Sequence, residues 1–180
     1  MNFLFRILLT FNATSLLLLV FLVQKGYTLV HFFPNCCLAM PNILSYLIYM
    51  LVPIFLTLLS ILLSGKLGKD RFNHGDAIAI EHANNNFLPS YLGYFFVALS
   101  VQNWETLGVV YGILFVFTFL SQALYFNPLF LLFGFDFYNI TTKNGASIFL
   151  ISTNDYKLPS DVVLDKVFRI NNYTFIERSK

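Results

Sequence analysis

The sequence predicts an α-helical membrane protein: four transmembrane helices followed by a small, β-rich C-terminal domain on the cytoplasmic side. Three observations lead there. Hydrophobic residues make up 57% of the 180 and charged residues only 11%, where soluble domains carry about 25%. Uncharged apolar runs near the length of a bilayer-crossing helix recur along the first two thirds of the chain. Beyond residue 134 the texture changes to aromatic and β-branched residues divided by an Asn-Gly pair.

Residues 7–24 carry no charge and form the first span. Arg6 before an apolar run also suits a signal peptide, but the run is long and no small-x-small site follows Val23, so the helix is expected to be retained. Residues 25–42 form a loop with Gly26, Pro34 and Pro41. Its adjacent Cys36 and Cys37 read as two small apolar residues rather than a redox device. Residues 43–64 form the second span, kinked at Pro53, which has no N–H to donate.

Residues 65–86 are the polar cytoplasmic loop. Its His74, Asp76, Glu81 and His82 fit no metal-ligand spacing, and the segment reads as a solvated connection. Residues 87–103 give a short third span with Pro89 in its first turn. A tight turn at Trp104-Glu105 leads into the fourth span, 106–126. Asn127-Pro128 ends it, because a residue before proline avoids the helical region. The transmembrane domain is thus 1–134 and the cytoplasmic domain 135–180.

In the tail, runs 135–142 and 146–152 flank Lys143-Asn144-Gly145, which predicts a β-hairpin closed by a type I′ turn. Residues 161–167 suggest a helical turn, and 168–177 one more strand or a second hairpin turned at Asn171-Asn172. So short a domain buries little core alone and must lean on the helices, a second copy or a partner.

Ten of the eleven basic residues fall on the side of the termini, and only Lys25 on the other. The positive-inside rule therefore sets both termini in the cytoplasm. No nucleophile–base set, phosphate-cradling glycine loop or carboxylate pair appears, so neither an enzyme nor a cofactor is expected. No basic patch suits direct nucleic-acid binding. The spans carry no charge at mid-depth, which argues against a transporter. Lys66, Lys69 and Arg71 are candidates for lipid headgroups. Asp155, Asp161, Asp165, Lys166 and Arg169 are candidates for a protein partner. Gly108 and Gly112 form a G-x-x-x-G face that packs helices, more readily within one chain than between chains.

Several stretches together resemble the KwaA family, the membrane subunit of the Kiwa anti-phage defence system. They are NFLPSYLGYFFVALS at 86–100, Asn127-Pro128 with GFDFY at 134–138, GASIFLIS at 145–152 and RINNYTFI at 169–176. The resemblance implies a bacterial inner-membrane protein that forms a homo-oligomer, with a tetramer among the options. It implies a sensor of phage attack that holds a KwaB-like, DNA-binding cytoplasmic partner at the membrane. A pore-forming effector that depolarises the cell is the alternative function.

Overall fold

The computed structural model describes residues 2–34, 40–72, 75–121 and 127–178. Its centre is α1 (Asn2–Gln24), against which α3 (Asn42–Ser64), α4 (Leu88–Ser100) and α5 (Trp104–Ser121) all pack. A single turn, α2 (Leu29–Phe32), follows α1. Among the described residues three helices, α1, α3 and α5, are long and apolar enough to cross a membrane. The third predicted span differs: α4 has 13 residues, about 20 Å at 1.5 Å per residue, shorter than the hydrocarbon core. A 3-10 turn, Asn84–Phe87, precedes it, and Pro89 does lie in its first turn. The turn before α5 falls at 101–103 rather than at Trp104-Glu105. There the Asn103 side chain accepts from the Thr106 N–H at 2.8 Å and caps α5.

Small polar residues are buried between α1 and α3, while Leu17 and Phe21 of α1 pack with Ala98, Val101 and Leu107 towards α4 and α5. Thr10, Asn12 and Thr14 of α1 and Ser45, Thr57, Ser60 and Ser64 of α3 are all fully buried. In an apolar solvent, helices gain little by hiding leucine, so close packing and hydrogen bonds hold them together. Thr14 Oγ1 meets Tyr111 Oη of α5 at 3.1 Å, and Tyr91 Oη of α4 donates to the Ala13 carbonyl at 3.0 Å. Arg6 caps the last turn of α5 by donating to the Phe119 carbonyl at 3.1 Å, its guanidinium 4.9 Å from the Phe119 ring centroid.

The largest departure from expectation lies in residues 65–86. They are not a solvated loop but carry two strands, β1 (Gly68–Phe72) and β2 (Ala77–His82). These join β3 (Asp136–Thr142), β4 (Ser147–Ser152), β5 (Leu164–Arg169) and β6 (Thr174–Glu177) in one six-stranded sheet of order β1-β5-β6-β4-β3-β2. Only β4 and β6 pair in parallel. A flat sheet would hold its outer strands about 24 Å apart, whereas the five steps from Phe72 to Ala77 reach at most about 18 Å. The sheet therefore curls, bringing β1 and β2 towards each other.

The central strands β4 and β6 are buried on both faces, which explains the continuous apolar run of β4. One face carries Phe137, Phe149, Ile151 and Ile176, which pack with Phe5 and Leu9 of α1, Ile61 of α3 and Phe130. The other carries Tyr138, Ile140, Ile148, Leu150, Val167 and Phe175. The 153–163 crossover covers part of it through Val162 and Tyr156. The 3-10 segment Pro128–Phe133 joins bundle to sheet and buries Leu129 and Phe130.

Two details of the tail depart from the sequence reading. Residues 164–169 are strand rather than helical turn, and the second hairpin turns through 170–173, across the expected Asn171-Asn172. The first hairpin has a three-residue loop, not a type I′ turn: Thr141 pairs with Ser147, and the Gly145 N–H donates to the Thr142 carbonyl. Gly145 then takes the left-handed conformation, φ +74°. Gly145→Val is expected to cost about 1–2 kcal/mol, read as a matching fall in unfolding free energy or faster proteolysis of the tail.

Candidate functional site

Two polar assemblies stand out, one inside the helices and one on the sheet. The first centres on Asn12, fully buried at mid-length of α1. With its amide oriented to satisfy every neighbour, Nδ2 donates to the Pro53 carbonyl at 3.1 Å. Its Oδ1 accepts from Thr57 Oγ1 at 2.8 Å, the Thr57 N–H at 3.2 Å and Asn127 Nδ2 at 2.8 Å. The Asn127 carboxamide oxygen in turn accepts from the Leu129 N–H at 3.0 Å. One side chain of α1 thus ties the proline-interrupted stretch of α3 to the segment that enters the sheet.

The second assembly is a cleft of about 470 Å³ on the sheet face turned away from the helices, where curling brings β1 and β2 together. Ile148 and Phe175 line its apolar floor. Its rim gathers Arg71, Lys143 and Arg169 with Asp70, Asp76 and Asn172. Arg169 Nη2 donates to Asn172 Oδ1 at 2.7 Å across the β5–β6 turn. A mixed-charge rim around an apolar floor suits a charged, hydrogen-bonding partner surface.

At the other end of that face, Glu177 is buried without a cation among the described ion pairs. Its Oε2 accepts from Tyr156 Oη at 2.7 Å and from Ser152 Oγ. Burial raises the Tyr156 phenol well above the ordinary tyrosine value, and the Glu177 carboxylate adds to that. Burial likewise raises Tyr138, with Asp136 and Asp155 adding smaller contributions. Both hydroxyls therefore stay protonated near neutral pH and serve as donors. This network locks the crossover to β4 and β6.

The residues singled out in the sequence divide between these places. Arg71 and Arg169, assigned there to lipid and to a partner respectively, meet in the cleft. Lys66 stays at the end of α3, and Lys69 lies on exposed β1, opposite Phe168. Asp155 pairs with Lys157 at 3.6 Å, and Asp161 Oδ2 accepts from the Leu158 N–H; both sit on the crossover, away from Arg169. Asp165 and Lys166 belong to β5. Gly108 and Gly112 are exposed on α5, and among the described residues nothing lies within 4 Å of where their β-carbons would stand. Of the polar loop set, Asp76 lines the cleft, while Glu81 and His82 project from opposite faces of β2, His82 3.8 Å from Asp136. His74, Cys36 and Cys37 lie outside the described residues. Among those described, no three His, Cys, Asp or Glu side chains gather as a metal site. The sequence offered Asp76 only within the charged 65–86 segment and did not offer Lys143, since the curl of the sheet is what brings both to Arg169.

Apolar helices of membrane-crossing length bearing a docked, curled sheet define a class: a helical membrane-type protein with an appended β layer. The chain matches the family model for the anti-phage protein KwaA over residues 5–176, nearly its full length, and belongs to that family. No curated protein and no solved structure matches it.

Proposed function

We propose that this protein anchors an anti-phage defence complex at the bacterial inner membrane and recruits a soluble, DNA-binding partner through the cleft of its sheet. One observation carries the topology. Segments 68–82 and 136–177 share a sheet, so they lie on the same side of any membrane. The chain between them must then cross an even number of times. α5 is long enough for one crossing, and α4 with its preceding 3-10 turn supplies the other. This supports four crossings with both termini on one side, and the positive-inside count favours the cytoplasm for that side.

Recruitment is supported by the cleft, which faces away from the helices and carries mixed charge. The exposed Gly108 and Gly112 face of α5 supports self-association, since no described residue lies within 4 Å of where their β-carbons would stand. Most buried hydroxyls are taken up inside the bundle, Thr10, Ser60 and Ser64 donating to carbonyls of their own helices and Thr57 engaging Asn12, which weighs against a pore lined by them. A sensing role rests on the family alone, and nothing in the cleft calls for catalysis or direct contact with nucleic acid.

The test is charge reversal at the rim. Arg71→Glu with Arg169→Glu is expected to lower partner copurification about tenfold, the effect of about 1.4 kcal/mol, and to abolish protection while membrane insertion persists. Unchanged copurification by the double variant would remove the cleft from the interface.

A further inference from the structure

We infer that the seam between α1 and α3 is a binding site for an anionic phospholipid of the cytoplasmic leaflet, with Lys66 as the headgroup contact. The inference rests on the membrane reading above and adds a specific ligand to it. Two apolar grooves follow this seam. The lower, about 220 Å³, is lined by Leu4, Phe5 and Leu8 of α1 and by Leu63, Lys66 and Leu67. The upper, about 130 Å³, lies between Phe11, Ser15, Leu19 and Leu22 of α1 and Val52 and Pro53 of α3.

On α1 the positions Leu4, Leu8, Phe11, Ser15, Leu19 and Leu22 step by three or four residues, so they form one stripe. That stripe is about 27 Å long at 1.5 Å per residue, against about 15 Å for the acyl layer of one leaflet. The furrow opens to the outside of the bundle, since Leu4 is 72% exposed. An acyl chain fits such a furrow, and the polar character at its lower end decides which lipid. There the lining is apolar except for Lys66. Next to Lys66, the Arg178 guanidinium lies against Gly65, with Nη1 3.0 Å from where a β-carbon would stand. No carboxylate lines either groove among the described residues. A cation at the mouth of an apolar furrow complements a phosphodiester with net negative charge better than a zwitterion.

Leu67 and Phe5 line the groove and also belong to the core that docks the sheet on the helices. A bound lipid would therefore brace that junction from outside.

The test uses the full chain in mixed micelles, with phosphatidylglycerol or phosphatidylcholine added and retained lipid counted by native mass spectrometry. The wild-type protein is expected to retain phosphatidylglycerol about fivefold more, the effect of one cation near an anionic headgroup. Inorganic phosphate should not compete. Lys66→Gln should bring the two lipids towards parity, whereas Lys157→Gln, exposed on the crossover and outside the groove, should leave the preference intact. Leu8→Trp should fill the furrow and reduce retention of both. Equal retention by the wild type, an undiminished preference in Lys66→Gln, or full retention by Leu8→Trp would each overturn the site. Alkaline carbonate extraction of cell membranes separates the two layers of the argument. A protein released by carbonate refutes the membrane reading itself; a carbonate-resistant protein without lipid preference refutes only the site.

Discussion

Replacing residues 68–82 by a Gly/Ser linker of equal length is expected to open the whole sheet, although those residues carry no catalytic or membrane-crossing signature. β2 pairs with β3 from Ala77 to His82, and β1 pairs with β5 from Gly68 to Phe72. The exchange therefore strips both outer ladders at once. Each lost hydrogen bond costs about 0.5–1.5 kcal/mol net, and the linker also withdraws Ala77 and Ile80 from the core of the outward face. The total is on the scale of a small domain's entire stability, about 5 kcal/mol. It leaves β3 and β5 as bare edges open to aggregation. Limited proteolysis of membrane vesicles should cut the variant within 136–177 at protease levels that spare the parent. A solvated-loop reading of the same residues predicts equal resistance, so the digest decides between them.

What could be read from the sequence followed signal strength. α1, α3 and α5 were legible because long uncharged runs have few other fates. The β3–β4 hairpin was legible because apolar and β-branched runs flank an Asn-Gly pair. α4 was harder: Leu88–Ser100 is apolar but interrupted by Gly93 and too short for its role by length alone. β1 reads Gly-Lys-Asp-Arg-Phe, a charged edge strand with no alternation. Charge is how natural edges discourage unwanted pairing, and it is also what makes such strands look like loops. β5 alternates too briefly to be told from a helical turn, and its identity comes from pairing with β1 and β6.

The cleft was less legible than the fold. Arg71 and Arg169 are far apart in sequence and share a rim only because Gly68 pairs with Arg169 and the sheet curls. Asn12 is a carboxamide inside the uncharged run 7–24. Its partners Thr57 and Asn127 could not be named without the packing of α1 against α3.

Phe137→Ala is expected to be the most damaging single substitution, and its effect should fall on the junction between sheet and helices. The ring is fully buried. It stacks on Phe149 with centroids 5.7 Å apart and planes 11° from parallel, and meets Phe130 edge-on at 6.3 Å. Phe130 belongs to the segment leaving Asn127, so Phe137 joins the sheet to the element clasped by Asn12. Removing a buried phenyl ring costs about 3–5 kcal/mol, because transfer energy and the cavity left behind add. Phe137→Leu keeps part of the volume and should cost clearly less. If the junction is the weak link, the alanine variant should stay in the membrane, gain protease cuts in 128–135, and lose partner retention as strongly as the rim charge reversal does. Leu150→Ala lies on the opposite face, where the side chain is also fully buried. It should destabilise the sheet to a similar degree without exposing 128–135 first. The same early cuts in both variants would mean that the sheet and its attachment unfold as one unit, and that Phe137 has no special role in coupling them.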